Sequence, residues 1–238
     1  MYPRFQKLHK VPPPEIRKKG LFSYIFLKMS QRSVTFLAMH KQPRSIDNKQ
    51  IVLDQSMDLL IARQENDFRI ADVCEVSGLS SSVIYSYFRS REGLIDSTYA
   101  EIFKKVASRA EGTLENLFAA VTKPDQVTET FVGTASQNKV RRAWAANRNL
   151  RLRVSAHAVS CPSFMKLFAP LALEHFQNVT ELFKVLIGKG IILSHHTAEE
   201  CARTYEGLQL SWALHEGISD SDLTNEWVHI FRRTYGAT

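Results

Sequence analysis

Cysteine is scarce in this chain of 238 residues: there are three, Cys74, Cys161 and Cys201, an odd number and widely scattered. No two of them have metal-ligand spacing. They read as small buried hydrophobes in a reducing compartment and not as a disulfide framework. Ten glycines and eight prolines are too few for a repeat or low-complexity protein. No apolar run reaches the roughly 18 residues needed to span a bilayer. Catalytic patterns are missing as well. The eight histidines come with no HExxH, no Cys-His set and no paired carboxylates, and neither a GxSxG nor a Gly-rich phosphate loop occurs. Gly188-Lys189-Gly190 is a helix break. His195-His196 lies in a turn before Thr197, and adjacent residues do not share a helical face, so a metal site there has little support. No catalytic residue, metal or cofactor is assigned, and nothing positive points to an enzyme.

What is present is ample apolar material. A hydrophobic content of 44% is enough for a core in one or two domains. The net charge of +7 suggests nucleic acid at first sight, but its location undercuts it. Residues 1–45 hold ten Lys and Arg against the single acid Glu15, so +9 sits there and 7 − 9 = −2 remains for the rest. The basicity belongs to the tail.

That tail does not resemble part of a fold. Pro12-Pro13-Pro14 breaks any helix. Leu21 to Leu27 is too short an apolar run to span a bilayer, and it lacks the cleavage site of a signal peptide. Three readings stand: a flexible basic arm that adds phosphate contacts, a membrane-surface segment, or a mis-assigned start with translation from Met29 or Met39. Residues 1–45 are therefore expected to be a disordered basic extension or a mis-assigned start.

The most informative stretch runs from Phe68 to Leu94. Ile70, Val73 and Val76 fall on one helical face, with Cys74 beside them. Gly78 follows at a position suited to a sharp reversal. Ser80, Ser81 and Ser82 then offer hydroxyls to cap a second helix. Val83, Ile84, Tyr87 and Phe88 supply that helix with apolar contacts. This is a helix-turn-helix pattern, in which the second helix enters the DNA major groove. No acid occurs between Glu75 and Glu92. Ser81, Ser82, Tyr85 and Ser86 are small or hydroxylated and let a helix approach base edges closely. Arg89 and Arg91 are placed to meet phosphate. The plainer reading is a helical hairpin that touches no DNA.

The same residues carry a family resemblance. Val73-Cys74 stands where tetracycline-repressor-like (TetR) regulators usually have Ile-Ala. Ser77-Gly78-Leu79-Ser80 matches their Ala-Gly-Val-Ser turn. Ile84-Tyr85-Ser86-Tyr87-Phe88 matches their Leu-Tyr-x-x-Phe recognition helix. Ser90-Arg91-Glu92-Gly93-Leu94 matches the Ser-Lys-Glu-x-Leu that opens their fourth helix. Arg69 departs from the usual Ser or Thr, which removes a cap. Asp67 can substitute, or Arg69 can itself grip phosphate. The chain thus resembles the TetR family over residues 46–238, strongly in the first quarter and architecturally afterwards.

The resemblance implies an all-α protein. Residues 46–94 would form a three-helix DNA-binding domain, and 95–238 a helical regulatory and dimerisation domain. Helix one is expected near 47–63, and helices after the fourth near 126–136, 139–160, 163–187, 197–216 and 221–235. It also implies a cytoplasmic homodimer bound to a double-stranded DNA operator and released by a small-molecule effector. The DNA-contacting set would be Arg69, Ser80, Ser81, Ser82, Tyr85, Ser86, Tyr87 and Arg91.

In the second domain, Val140, Ala143, Trp144, Asn147, Leu150, Val154 and His157 share one helical face. An apolar face carrying Trp, Asn and His suits a small-molecule pocket, and suits an ordinary core equally well. The resemblance favours a pocket lined by Phe131, Trp144, Asn147, Arg148, His157, Phe164, Phe168 and Phe176. Five arginines lie between 141 and 153. Most are expected to be solvated, with Arg148 leaning over the cavity mouth to meet an acidic or strongly polar ligand group. Apolar stripes on the last two helices, including Tyr205, Leu208, Trp212, Trp227, Ile230 and Phe231, would pair two copies, or would pack within one subunit. The alternative function is a helical interaction protein whose helix-turn-helix no longer binds DNA.

Overall fold

The computed structural model describes residues 43–63, 65–135, 138–192 and 195–214, with 222, 225, 226, 229 and 230. The chain divides into two units, Met1–Ile46 and Asp47–Thr238, and every described side chain lies in the second. The expectations for the tail, and the side chains of Phe131, Trp144, Trp227 and Phe231, lie outside the described residues.

Among the described residues all regular structure is helical: α1 Pro43–Ala62, α2 Ile70–Ser77, α3 Ser81–Phe88, α4 Arg91–Ala120, α5 Gln126–Ala135, α6 Asn138–Ser160, α7 Pro162–Gly188 and α8 Ala198–Ala213. A single 3-10 turn, Glu65–Asp67, joins α1 to α2. The breaks are chemical. Pro162 opens α7 at the first helical turn, where its missing N–H costs nothing. Gly190 closes α7 with φ 69°, the left-handed region that glycine enters cheaply. Lys189 in the same break donates to the carbonyls of Phe118 and Val121, satisfying acceptors at the end of α4. Thr197 and Glu200 form a reciprocal capping box at the start of α8.

Two apolar clusters hold the second unit together. The first joins Val52, Leu60, Phe68, Val73, Ile84 and Phe88 to the first half of α4, and takes in Val154 and Ala158 of α6 and Phe164 of α7. The second joins Leu114, Leu117 and Phe118 of α4 to Val179, Phe183 and Leu186 of α7 and to Cys201, Tyr205 and Trp212 of α8. Helix α4 runs unbroken past residue 94 and contributes to both. Packing therefore has no seam at 94/95, where the sequence reading drew a domain boundary.

Two expectations change here. Val76 is exposed, because only Ile70, Val73 and Cys74 of α2 turn toward the core. Tyr205 and Trp212, expected at a dimer face, are buried in the subunit's own second cluster, and the half-buried Leu208 packs against that cluster. Among the described residues no helix is long and apolar enough to cross a membrane.

Candidate nucleic-acid interface

The reversal between α2 and α3 is built on Gly78, at φ 69° and ψ 12°, whose N–H donates to the Cys74 carbonyl. Ser77 supports it from one side: its hydroxyl donates to Val73 O at 2.6 Å and accepts from Leu79 N at 3.3 Å. Ser80 occupies the N-cap of α3 but makes no capping bond through its side chain, contrary to the capping role expected of it. Helix α3 buries Ile84 and Phe88 and half-buries Val83 and Tyr87. Ser80, Ser81, Ser82, Tyr85 and Ser86 remain exposed, as does Arg69 just before α2. Six of the eight expected DNA-contacting residues thus lie outward.

The other two turn toward the protein. Tyr87 packs against the first apolar cluster, its ring edge-on to Phe88 at 6.2 Å. Arg91 donates through Nε to Phe68 O at 2.9 Å and through Nη2 to Glu65 O at 2.8 Å. Its Nη1 lies 3.6 Å from Glu92. Arg91 therefore ties the turn after α1 to the start of α4. Arg89, by contrast, is exposed and ends α3 at φ 67°, a conformation that costs a residue with a Cβ. Helix α3 is locked to α4 by a close approach: a Cβ on Gly93 would lie 2.2 Å from Phe88 O. Ser90 caps α4 by accepting from Gly93 N at 2.9 Å. Asp72 takes Arg63 at 2.5 Å, a pair bridging α1 and α2.

Behind this surface lies a polar joint that sequence reasoning missed. Arg153 of α6 donates to Leu60 O at 2.6 Å and to Arg63 O at 3.1 Å, capping the end of α1. His157, expected to line a pocket, instead stands between two carboxylates. Its Nε2 is 2.8 Å from Asp96 Oδ1 and its Nδ1 is 3.2 Å from Glu65 Oε2. Its ring lies 4.5 Å from that of Tyr99 and 4.9 Å from that of Phe164. Burial pushes the Tyr99 hydroxyl above its ordinary value, and the Glu65 carboxylate adds to the shift.

The remaining pocket expectations scatter. Phe164 is fully buried in the first cluster, and Phe168 packs between Phe103 and Phe164 at 4.9 and 5.7 Å. Phe176 belongs to the second cluster, beneath the Arg203 guanidinium at 5.0 Å. Asn147 is half-buried. Of the five α6 arginines, the side chains of Arg141 and Arg142 lie outside the described residues; Arg151, expected in solvent, is 6% exposed, Arg148 is 8% exposed and Arg153 is half-buried. Arg151 pairs with Glu206 of α8, whose other oxygen lies 3.1 Å from His175 Nε2. His175 Nδ1 is 2.5 Å from Glu111 Oε1, and Asn178 donates to Glu111 Oε2 at 3.1 Å. Burial opposes charge on His175, yet its bonds to Glu111 and Glu206 outweigh that and raise its pKa. Burial likewise opposes charge on Glu206, and His175 and Arg151 prevail to lower it. Glu111 and Glu206 thus face a guanidinium and an imidazole whose protonated form they favour, the balance a buried ionic cluster needs. One signal could have found it. Arg151, Val154 and Ala158 share a helical stripe, so a charge stood in a core register.

A short helix, a turn through a left-handed glycine and an outward hydroxylated helix, all seated on a long helix that continues into a bundle, define a helix-turn-helix protein with a helical second half. No protein-family model and no curated protein matches the chain by sequence. Solved structures do match. A TetR-family transcriptional regulator from Mesorhizobium loti aligns at a TM-score of 0.64 and 14% identity, covering 82% of this chain and 99% of that one. A TetR-family regulator from Rhodococcus sp. aligns at 0.56 and 20%, covering 79% and 98%. A transcriptional regulator from Saccharomonospora viridis, in complex with choline, aligns at 0.57 and 15%, covering 79% and 96%. The chain has the all-α fold of TetR-family regulators.

Proposed function

We propose that this chain is a cytoplasmic, homodimeric transcriptional regulator, most simply a repressor, that binds a pseudo-palindromic DNA operator and leaves it when a small molecule binds. One observation carries the DNA reading. Helix α3 presents Ser81, Ser82, Tyr85 and Ser86 outward, with no acid between Glu75 and Glu92. Small hydroxylated side chains admit a helix into the groove, and the absence of carboxylates spares it phosphate repulsion. Arg69 and Arg89, both exposed, are the proposed phosphate contacts. Two-fold pairing doubles the bases read, which a single short helix needs for useful specificity.

The effector reading rests on α6. Arg148 and Arg151 are buried there, and the neighbouring regulator bound to choline is a small-molecule complex of the same fold. An amphipathic effector with an acidic or strongly polar end would meet Arg148, because Arg151 already pairs with Glu206. Its effect on DNA equals its differential affinity for the two helix spacings of the dimer. The test is a mobility shift with DNA flanking the chain's own gene. Tyr85→Ala should change sequence preference by about 1–3 kcal/mol. Operator binding that survives both Tyr85→Ala and Arg69→Ala would overturn the assignment of this face.

A further inference from the structure

The polar joint gathers more than a histidine between two acids. Cys161 Sγ lies 3.8 Å from Asp96 Oδ1, the same oxygen that is 2.8 Å from His157 Nε2. The three donor atoms all lie within 4.8 Å of one another. They come from α4, from α6 and from the residue between α6 and α7. The His157-x-x-x-Cys161 spacing places the last two one helical turn apart, and the Cys161 N–H closes that turn on His157 O at 2.9 Å. We propose that Asp96, His157 and Cys161 form a binding site for a thiophilic divalent cation of the zinc class.

The donor chemistry selects the ion. One carboxylate oxygen, one imidazole nitrogen and one thiolate form a mixed set that suits zinc and excludes magnesium and calcium, which take oxygen. Zinc bonds of about 2.0–2.3 Å in a tetrahedron separate ligand atoms by roughly 3.3–3.6 Å. The 2.8 and 3.8 Å separations bracket that range. Three protein ligands leave a fourth position for water or an outside donor.

The surroundings also fit. A metal-bound histidine commonly donates its other ring N–H to a carboxylate, which fixes the tautomer. Here Glu65 Oε2 is 3.2 Å from His157 Nδ1. Ser163 donates to the second oxygen of Asp96 at 3.1 Å and sits 3.1 Å from Cys161 Sγ. Cys161 occupies the N-cap of α7. Charge points the same way. Asp96 and Glu65 flank one imidazole, and among the described residues no Lys or Arg pairs with Asp96. The buried cluster at His175 differs, because Arg151 already neutralises Glu206 there.

The test uses the reduced full-length chain and cobalt(II) as the spectroscopic stand-in for zinc. Cobalt should produce a thiolate-to-cobalt charge-transfer band and intense tetrahedral d–d absorption, both erased by one equivalent of zinc. Cys161→Ser should lose the charge-transfer band, whereas Cys74→Ser and the double variant His195→Ala, His196→Ala should keep it. Glu65→Gln should weaken binding by about 10–100-fold. Zinc should raise the Tm of the wild-type chain and leave that of Cys161→Ser unmoved. A wild-type spectrum without the charge-transfer band overturns the proposal even if a variant does not fold, and so does a band that persists in Cys161→Ser. No DNA enters these measurements, so failure of the regulator reading leaves their outcome intact.

Discussion

The two ends of α4 are held by different physics. At the helix-turn-helix end, α1, α2 and α3 close around Val52, Leu60, Val73, Ile84 and Phe88, an apolar cluster whose polar bonds run along its margin. Arg91 and Arg153 satisfy backbone carbonyls there, and the outer face of α3 takes no part in the packing. At the other end, α4, α6, α7 and α8 enclose Glu111, Arg151, His175 and Glu206 beside their own apolar cluster. Burial of apolar surface is insensitive to pH and indifferent to partners. A buried ionic cluster depends on every member and on the protonation of one imidazole. The helix-turn-helix end can thus keep its shape when its surface residues change, and the bundle carries the part most easily perturbed.

The largest expected effect tests whether the helix-turn-helix end truly relies on apolar packing that reaches into α7. Phe164→Ala should cost about 3–5 kcal/mol in urea unfolding, the usual range for a fully buried Phe. A loss below about 1 kcal/mol would detach α7 from that core. Next is the ionic end. Glu206→Gln leaves Arg151 and His175 without their shared carboxylate and should cost about 3 kcal/mol. The low end of the range applies because 22% of the Glu206 side chain is exposed. A neutral result would mean that the cluster is no stronger than an apolar replacement.

Arg91→Ala should cost about 1–3 kcal/mol through two lost backbone acceptors. The salt dependence of DNA binding should stay the same, whereas Arg69→Ala should lower its slope by about one. The reverse pattern would return Arg91 to the phosphates.

The smallest effect is the dependence on pH. The folded pKa of His175 is raised above its ordinary 6.5. Its contribution is therefore complete below that value and is lost as pH climbs through the folded one. The folded pKa of Glu206 is lowered from 4.5, so its contribution is present above that value and is lost on acidification through the folded one. Unfolding free energy should decline on the alkaline side of 6.5, and His175→Gln should flatten that limb.

How much of this was legible in advance differs from region to region. Periodicity and the breaks at Pro162, at Gly188-Lys189-Gly190 and before Thr197 placed α5, α6, α7 and the start of α8 to within about one residue, because they act over one or two turns of chain, whereas the helix expected at 221–235 lies largely outside the described residues. The helix-turn-helix was legible for the same reason. Which side chain of a stripe finds a cavity, a carboxylate or another subunit was not. Tyr205 and Trp212 were expected at a dimer face and lie in the subunit's own core. An apolar stripe specifies that a face is covered and says nothing of what covers it. Arg91, one residue past the Ser90 cap, looked outward in sequence and turns inward, because Phe68 and Glu65 leave two carbonyls within its reach.

The sequence by itself determined the elements: which segments are helical, where each stops, that Gly78 must reverse the chain, and that the outer face of α3 carries hydroxyls in place of acids. These follow from local propensity, capping and period, all confined to neighbours along the chain. Only the tertiary structure decided the company each polar side chain keeps. Asp96 and Cys161 are 65 residues apart and Arg151 and Glu206 are 55, and they meet because α4, α6, α7 and α8 pack as they do. Ion pairs and coordination act through space over a few ångströms, a distance that spacing along the chain does not encode.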